Sequence, residues 1–239
     1  MSGREASGKR ETRAIGRREA QAAGAREAKA VGAPEAKAVG TPGAMIVIIS
    51  GPSGVGKDTI IRTLRQRHPS PDRRFVVTYK TRSPRLGEVA GVDYHFVSVD
   101  EFLRKQVEGE LLEASEVHGH WSGTPRDQVV QALSSGYDAI LKIDVQGADK
   151  IKALVPQALR IFVAPPSADA RQARLARRGT ETPDEQARRN RDAELEMARM
   201  DDYDHVVVNE TGQVERTAQQ IDEIIRLEHE LLPDRLIVL

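Results

Sequence analysis

From residue 45 onward, short unbroken apolar runs alternate with stretches whose apolar residues recur at helical spacing. Runs that stay apolar on both faces predict strands of a parallel sheet, and the intervening stripes predict helices laid against it. The predicted strands are 45–49, 74–77, 139–143, 160–163 and 205–208. Ser98-Val99-Asp100-Glu101 is a capping-box pattern ahead of Phe102 and Leu103. Thr124-Pro125 offers a hydroxyl for a cap and a proline for the first helical position, before Val129, Val130 and Leu133. Ser167 can cap the helix that carries Leu175, and Val214, Ala218, Ile221, Ile224, Ile225 and Leu227 mark a last helix. Residues 84–118 break the alternation with aromatic and β-prone segments, which predicts an inserted arm rather than another βα unit. The fold class is α/β, with a parallel five-stranded core sheet.

The first 44 residues follow a different rule. Four octads, KRETRAIG, RREAQAAG, AREAKAVG and APEAKAVG, precede a remnant that begins Thr41-Pro42-Gly43. Each octad offers about one aliphatic side chain larger than alanine and ends in glycine, and an eight-residue period drifts around a helix. Such a segment cannot build a core, so residues 1–44 are expected to be a disordered tail, and Met45 is a natural alternative start. Nine Lys/Arg against five Asp/Glu give the tail a net charge of 9 − 5 = +4, which would suit a weak tether to an acidic partner.

Composition narrows the function classes. Lys+Arg and Asp+Glu both number 36, so no global charge bias points to nucleic acid or to a membrane surface. The chain has no cysteine, which excludes disulfides and thiolate metal sites. Neither a spanning apolar run nor a secretory leader is evident, and a cytoplasmic protein is expected.

The chemistry is concentrated after the first core strand. Ser50-Gly51-Pro52-Ser53-Gly54-Val55-Gly56-Lys57-Asp58-Thr59 leads into the helical stripe Ile60, Ile61 and Leu64. A buried strand, a glycine loop closing on Gly-Lys and a helix are the context of a phosphate-binding loop. Its backbone N–H groups and the helix N-terminus suit the β-phosphate of ATP, and Lys57 suits the β- and γ-phosphates. The residue after the lysine is normally Ser or Thr, whose hydroxyl binds Mg²⁺. Here it is Asp58, whose carboxylate can also bind Mg²⁺.

Further segments follow in a recognisable order. Thr81-Arg82-Ser83-Pro84-Arg85-Leu86-Gly87-Glu88 is similar to a TTRxPRxGE pattern, and Gly91-Val92-Asp93-Tyr94-His95-Phe96 to G-x-D-Y-x-F. Glu113 through Pro125 is similar to E-x-A-x-x-x-G-x-Y-Y-G-[ST], and Ile143-Asp144-Val145-Gln146-Gly147 and Arg178-Gly179-Thr180-Glu181-Thr182 complete the set. Together these resemble the guanylate kinase family across almost all of residues 45–235. The resemblance implies a P-loop kinase that moves phosphate from ATP to GMP, with Mg²⁺ accompanying ATP. It implies a core at 45–80 and 125–235, a mixed α/β GMP-binding arm at about 81–124 and a helical lid at about 174–192.

Arg82 and Arg85 can pair bidentately with the acceptor phosphate, and the Tyr94 hydroxyl can add a hydrogen bond. Guanine offers N1–H and a 2-amino group as donors, which suits Glu113 and Asp144, while the Thr78 and Thr124 hydroxyls would face O6. Adenine would leave those carboxylates unpaired. The acceptor phosphate oxygen is already anionic, so positioning and charge neutralisation suffice without a general base. By resemblance, Arg174, Arg178 and Arg189 fold over the transferred phosphoryl group, and Asn209 occupies the adenine-contacting position.

Three departures stand out. The family's L-D-I-D is Leu141-Lys142-Ile143-Asp144 here, so a carboxylate is exchanged for Lys142 while the loop serine becomes Asp58. Asp58 is expected to take the metal role, with Lys142 paired to it or to a phosphate. At His120-Trp121-Ser122 the family has two tyrosines, the second of which touches the GMP phosphate; Ser122 keeps a hydroxyl but loses reach. His118 and His120 beside Glu116 read as polar positions near the nucleotide rather than as a metal site. Two other functions compete: a kinase-like binding module without catalysis, and a P-loop kinase for another phosphate ester such as a ribose bisphosphate. Lys57, Arg82, Arg85, Arg174 and Arg178 count against the first, Glu113 and Asp144 against the second.

Overall fold

The computed structural model describes residues 38–176 and 183–239. In chain order the first elements are β1 (Ala38–Val39), β2 (Ile46–Ser50), α1 (Lys57–Arg67), β3 (Arg73–Phe75), β4 (Tyr79–Lys80) and β5 (His95–Phe96). Next come α2 (Val99–Val107), β6 (Leu111–Val117), β7 (His120–Pro125), α3 (Arg126–Ser134), β8 (Asp138–Lys142) and α4 (Val145–Leu154). The remainder is β9 (Leu159–Ala164), α5 (Ala168–Ala176), α6 (Pro183–Met197), β10 (His205–Val208), α7 (Val214–Leu231) and β11 (Ile237–Val238).

The five apolar runs form one sheet in the order β10-β9-β2-β8-β3, with every neighbouring pair parallel. β2 lies at its centre, and its residues alternate between two cores. Ile46 and Ile48 face Val129, Leu133, Ala148 and Ile151 of α3 and α4. Met45, Val47 and Ile49 face Ile60 and Leu64 of α1 and Ile221 and Ile225 of α7. Burial on both faces explains why β2, β8 and β9 read as continuous apolar runs, each such side chain contributing roughly 1.5–3 kcal/mol, whereas the edge strands β3 and β10 are only partly covered. Leu227 falls off the buried stripe of α7 and is exposed.

The inserted arm is a second, mixed sheet of order β5-β4-β7-β6, in which only β4 and β5 are parallel. α2 closes it through Phe102, which is fully buried and stacks on Trp121. The predicted Ser98 cap forms, with Ser98 Oγ accepting from Glu101 N. Ser167 Oγ likewise accepts from Ala170 N at the start of α5.

Two boundaries differ from the sequence expectation. The predicted cap at Thr124 does not form: β7 continues through Pro125, α3 begins at Arg126, and no side chain caps it. The Thr124 hydroxyl donates instead to Glu113 Oε1 across the arm sheet. Residues 38–44, assigned to the tail, pack on the domain. β1 pairs with β11, Thr41 N donates to Leu133 O, and Ala44 is buried. The other tail residues lie outside those described.

Candidate active site

The loop between β2 and α1 has the shape its glycines require. Gly51 (φ 137°) passes so close to β9 that a Cβ there would come within 2.2 Å of Val163 O, and Gly56 (φ 97°) begins α1 in a left-handed conformation. Lys57 donates to Gly51 O and to Pro52 O, which holds the ammonium over the loop. Burial lowers its pKa, partly offset by the charges of Glu196, Asp58 and Asp144. Gly51, Ser53, Gly54, Val55, Gly56, Lys57 and Asp58 all line the same pocket. Pro52 only supports it, and Thr59 lines a separate groove with Arg174, Asn209 and Thr211.

That groove shows what two predicted residues do. Asn209 Nδ2 donates 2.7 Å to Val55 O while its Oδ1 accepts from Thr217. Arg174 donates to Val55 O, to Asn209 O at 2.8 Å and to Thr211 Oγ1. Both side chains thus brace the outer wall of the loop, and Arg174 does not line the phosphate pocket. Arg189, on α6, does line it. Arg178 lies outside the described residues.

Acceptor-side residues converge on the pocket from the arm. Arg82, Arg85 and Tyr94 line it opposite the loop. Arg82 makes a bidentate pair with Glu88 at 2.6 and 2.7 Å, and Glu88 also accepts from Arg85 N at 2.8 Å. Burial opposes the Arg82 charge, but Glu88 outweighs it and raises the pKa. The bidentate fork of Arg82 is therefore engaged by a carboxylate, the same chemistry it would offer a phosphate.

Deeper in the arm, Glu113 is buried and accepts from Thr124 Oγ1 at 2.8 Å and Ser115 Oγ at 3.1 Å. Burial, reinforced by the nearby Asp144 charge, pushes its carboxyl up to about 7. A Cβ on Gly147 would stand 3.0 Å from Glu113 Oε2, so this glycine lets α4 approach the carboxylate. Asp144 caps α4 by accepting from Gly147 N through Oδ1, and its Oδ2 is buried with no partner among the described residues. The Thr78 hydroxyl is also buried and unpartnered. Such orphaned polar atoms are costly unless something else meets them.

Where loop and arm touch, Asp58 Oδ1 accepts from Lys142 Nζ at 2.6 Å and from the Tyr94 hydroxyl at 2.7 Å. The same ammonium lies 3.9 Å from the centre of the Tyr94 ring. Burial disfavours the Asp58 charge, yet Lys142 and Tyr94 outweigh it and hold the carboxyl far below its usual range. The donor set for a divalent cation is thin. Asp58 Oδ1 is taken, and among the described residues no three carboxylate, imidazole or thiol groups gather. One carboxylate oxygen completed by phosphate oxygens and water is still a complement that suits Mg²⁺. Asp58 Oδ2 is the oxygen that fits it. His118 is turned toward Asp192 Oδ2 of α6, at 2.9 Å.

Sequence reasoning gave no role to Glu88, Lys80 or Glu196. Glu88 and Lys80 sit inside or beside the TTRxPRxGE segment, so position within a motif was an available signal. Glu196 is half-buried in the phosphate pocket, its Oε2 without a partner among the described residues, and burial pushes its carboxyl up to about 7. Nothing in the charged sequence of α6 distinguishes it.

Comparison with known proteins agrees with this geometry. The family model described as guanylate kinase matches residues 44–228. A guanylate kinase from Mycolicibacterium paratuberculosis is 45% identical over 192 residues, covering 80% of this chain and 83% of its own. One from Thermosynechococcus vestitus is 47% identical over 165 residues, covering 69% and 85%. The crystal structure of guanylate kinase from Anaplasma phagocytophilum superposes with a TM-score of 0.62 at 31% identity, covering 81% of this chain and 88% of that one. A family match over most of the domain, joined to a phosphate loop that faces a carboxylate-lined arm, places this chain in the guanylate kinase family.

Proposed function

We propose that this protein is an ATP:GMP phosphotransferase that moves the γ-phosphate of ATP to GMP, giving ADP and GDP. The observation that carries the reading is that buried Glu113 stands near Asp144, whose Oδ2 is buried with no partner among the described residues, at one end of a pocket whose other wall is a phosphate loop. Two buried acceptors at one end and arginines at the other match a guanine base and a phosphate. A ribose bisphosphate would leave Glu113 and Asp144 with nothing to pair with.

In this reading Gly51–Thr59 and the N-terminus of α1 hold the ATP phosphates, and Lys57 neutralises charge on the β- and γ-phosphates. The groove lined by Thr59, Arg174 and Asn209 receives the adenosine side. Arg82, Arg85 and Tyr94 hold the GMP phosphate; Glu113, Asp144, Thr78 and Thr124 read the base; Ser122 lies on the same arm face. Arg82 exchanges Glu88 for the phosphate, and Tyr94 turns from Asp58. Arg189, with Arg178, closes over the transferred group. Magnesium bound with ATP at Asp58 Oδ2 would neutralise further phosphate charge. The attacking phosphate oxygen is already anionic, so no side chain removes a proton.

The domain then comprises the core, with residues 38–44 packed on it, the arm at about 81–124 and a lid at about 174–192. Among the described residues no helix is long and apolar enough to cross a membrane. A cytoplasmic enzyme accords with the reaction and with the absence of cysteine.

A coupled assay with ATP–Mg²⁺ and a panel of nucleoside and sugar phosphates tests the reaction. GMP is expected to be turned over, with AMP poorer by roughly 10⁴-fold. Absence of GMP turnover would overturn the reading, and saturable GMP binding without turnover would instead identify a binding module.

A further inference from the structure

Lys80 has no role in the reaction as described. β4 and β7 pair antiparallel with Lys80 directly opposite Ser122, so the two side chains leave the arm sheet on one face. That face looks into the phosphate pocket, which Lys80 lines beside Lys57, Arg82, Arg85 and Tyr94. Its ammonium donates 2.7 Å to Ser122 Oγ and stands 5.5 Å from the centre of the Tyr94 ring. No carboxylate among the described residues lies within ion-pairing distance of it. An ammonium carries three donor protons, so two remain for a ligand.

Other cations of the pocket are differently engaged. Lys142 pairs with Asp58, Arg82 pairs with Glu88, and Lys57 lies on loop carbonyls. Burial brings the Lys80 ammonium down to about 8; Asp144 and Glu113 favour its charge, while Arg82 and Lys57 oppose it. A bound anion would relieve that burden.

The sequence adds a second, independent observation. The first threonine of the TTRxPRxGE pattern falls on Lys80, and the second of the paired tyrosines falls on Ser122. These two departures face each other across one ladder. Serine ends close to the sheet, and the long stem of Lys80 carries a donor over it into the space that a larger side chain at 122 would take.

We propose that Lys80, seated on Ser122 Oγ, binds the phosphate of the acceptor nucleotide, supplying a cation where the family places a tyrosine hydroxyl. The inference rests on GMP being the acceptor. Lys80 then reads the phosphate, whereas a lysine that served only to neutralise Glu113 and Asp144 would act on the base. Guanosine, which has the base without the phosphate, separates the two.

The test compares wild type with Lys80→Met, measuring GMP binding by calorimetry and guanosine by competition. GMP affinity is expected to fall about 10- to 100-fold, the usual loss for a charged hydrogen-bonded contact, with guanosine and ATP affinities within about twofold. Equal losses for GMP and guanosine, or no loss for GMP, overturn the proposal. A measurement on the unaltered chain guards against misfolding of the variant: GMP, and not guanosine, should protect Lys80 from amine acylation read by mass spectrometry. Equal labelling with and without GMP overturns the proposal. Both arms read binding, so GMP that binds without turnover counts against the kinase reading alone, while GMP binding that Lys80→Met leaves intact counts against Lys80 alone.

Discussion

On the donor side of the site most polar groups are met by the protein itself, although among the described residues Ser50 Oγ at the loop's start and Glu196 Oε2 in the pocket are left over. Val55 O accepts from both Asn209 and Arg174, Lys57 lies on Gly51 and Pro52 carbonyls, and Asn209 is tied at both ends of its amide. On the acceptor side Arg82 is met by Glu88, but the groups around the base-reading end are less complete. Among the described residues Thr78 Oγ1 and Asp144 Oδ2 are buried without partners and the Lys80 ammonium has one hydrogen bond, while burial raises the Glu113 carboxyl to about 7. The difference separates two tasks. A loop that must cradle any nucleoside triphosphate gains from rigidity, because its N–H groups have to converge before the ligand arrives. An arm that must tell one base from another gains from buried groups that only the right base completes, because the wrong base leaves their desolvation uncompensated.

The sharpest way to break this contrast is Glu113→Gln. The amide can accept one hydrogen bond from guanine but turns its NH₂ toward a second donor. The kcat/KM for GMP is expected to fall by roughly 10²- to 10³-fold, while the KM for ATP stays within about twofold. Steady-state kinetics with each substrate varied in turn checks this. A comparable loss on the ATP side would show that the two halves are not separable in the way their hydrogen bonding indicates.

A smaller effect is expected where the halves meet. Asp58 belongs to the loop, Lys142 to the end of β8 and Tyr94 to the arm, and one carboxylate oxygen joins them. Removing either charged partner leaves the other half-buried beside phosphates, so Asp58→Ser and Lys142→Asp should each reduce kcat/KM about tenfold or more. The double variant restores the family's serine and aspartate together and should recover, with a coupling of about 1–3 kcal/mol in a double-mutant cycle. Additive losses would mean that the pair is an accident of proximity and that Asp58 acts alone.

Legibility followed locality. Strands buried on both faces are continuous apolar runs, as β2, β8 and β9 are, and all five core strands fall within a residue or two of their sequence positions; the loop is a contiguous motif. Thr124 was misjudged because its hydroxyl had two uses. A local cap competed with a carboxylate 11 residues away, and the cross-strand partner won. The pairing of β1 with β11 joins residues nearly 200 apart, and no local pattern announces it. Arginine on a helix declares charge but not direction, so Arg174 could not be placed over the loop's outer wall from sequence alone. Ser122 stands out in the sequence as a departure and Lys80 does not, and the meaning of both depends on register, which exists only once β4 and β7 are paired.

The smallest effect is a proton. In the ligand-free protein Glu113 is raised from 4.5 to about 7, first by burial and then by Asp144. The native state therefore holds a proton on this group between about pH 4.5 and 7 that the unfolded chain has released, and its contribution to stability is lost as pH rises through that window. Guanine reverses the bias, because its N1–H and 2-amino group favour the carboxylate. GMP binding should thus expel up to about half a proton near pH 7 and almost none above about pH 9, with affinity rising toward neutrality and then levelling. Calorimetry in two buffers of different ionisation enthalpy measures the release. The acceptor phosphate, Glu196 and Lys80 also titrate in or near this range, so the release must be taken as the difference between wild type and Glu113→Gln. An unchanged release in the variant would move the proton away from Glu113. The base-reading end of the arm would then be fully charged before GMP arrives, and the contrast with the donor side would rest on its unpartnered atoms alone.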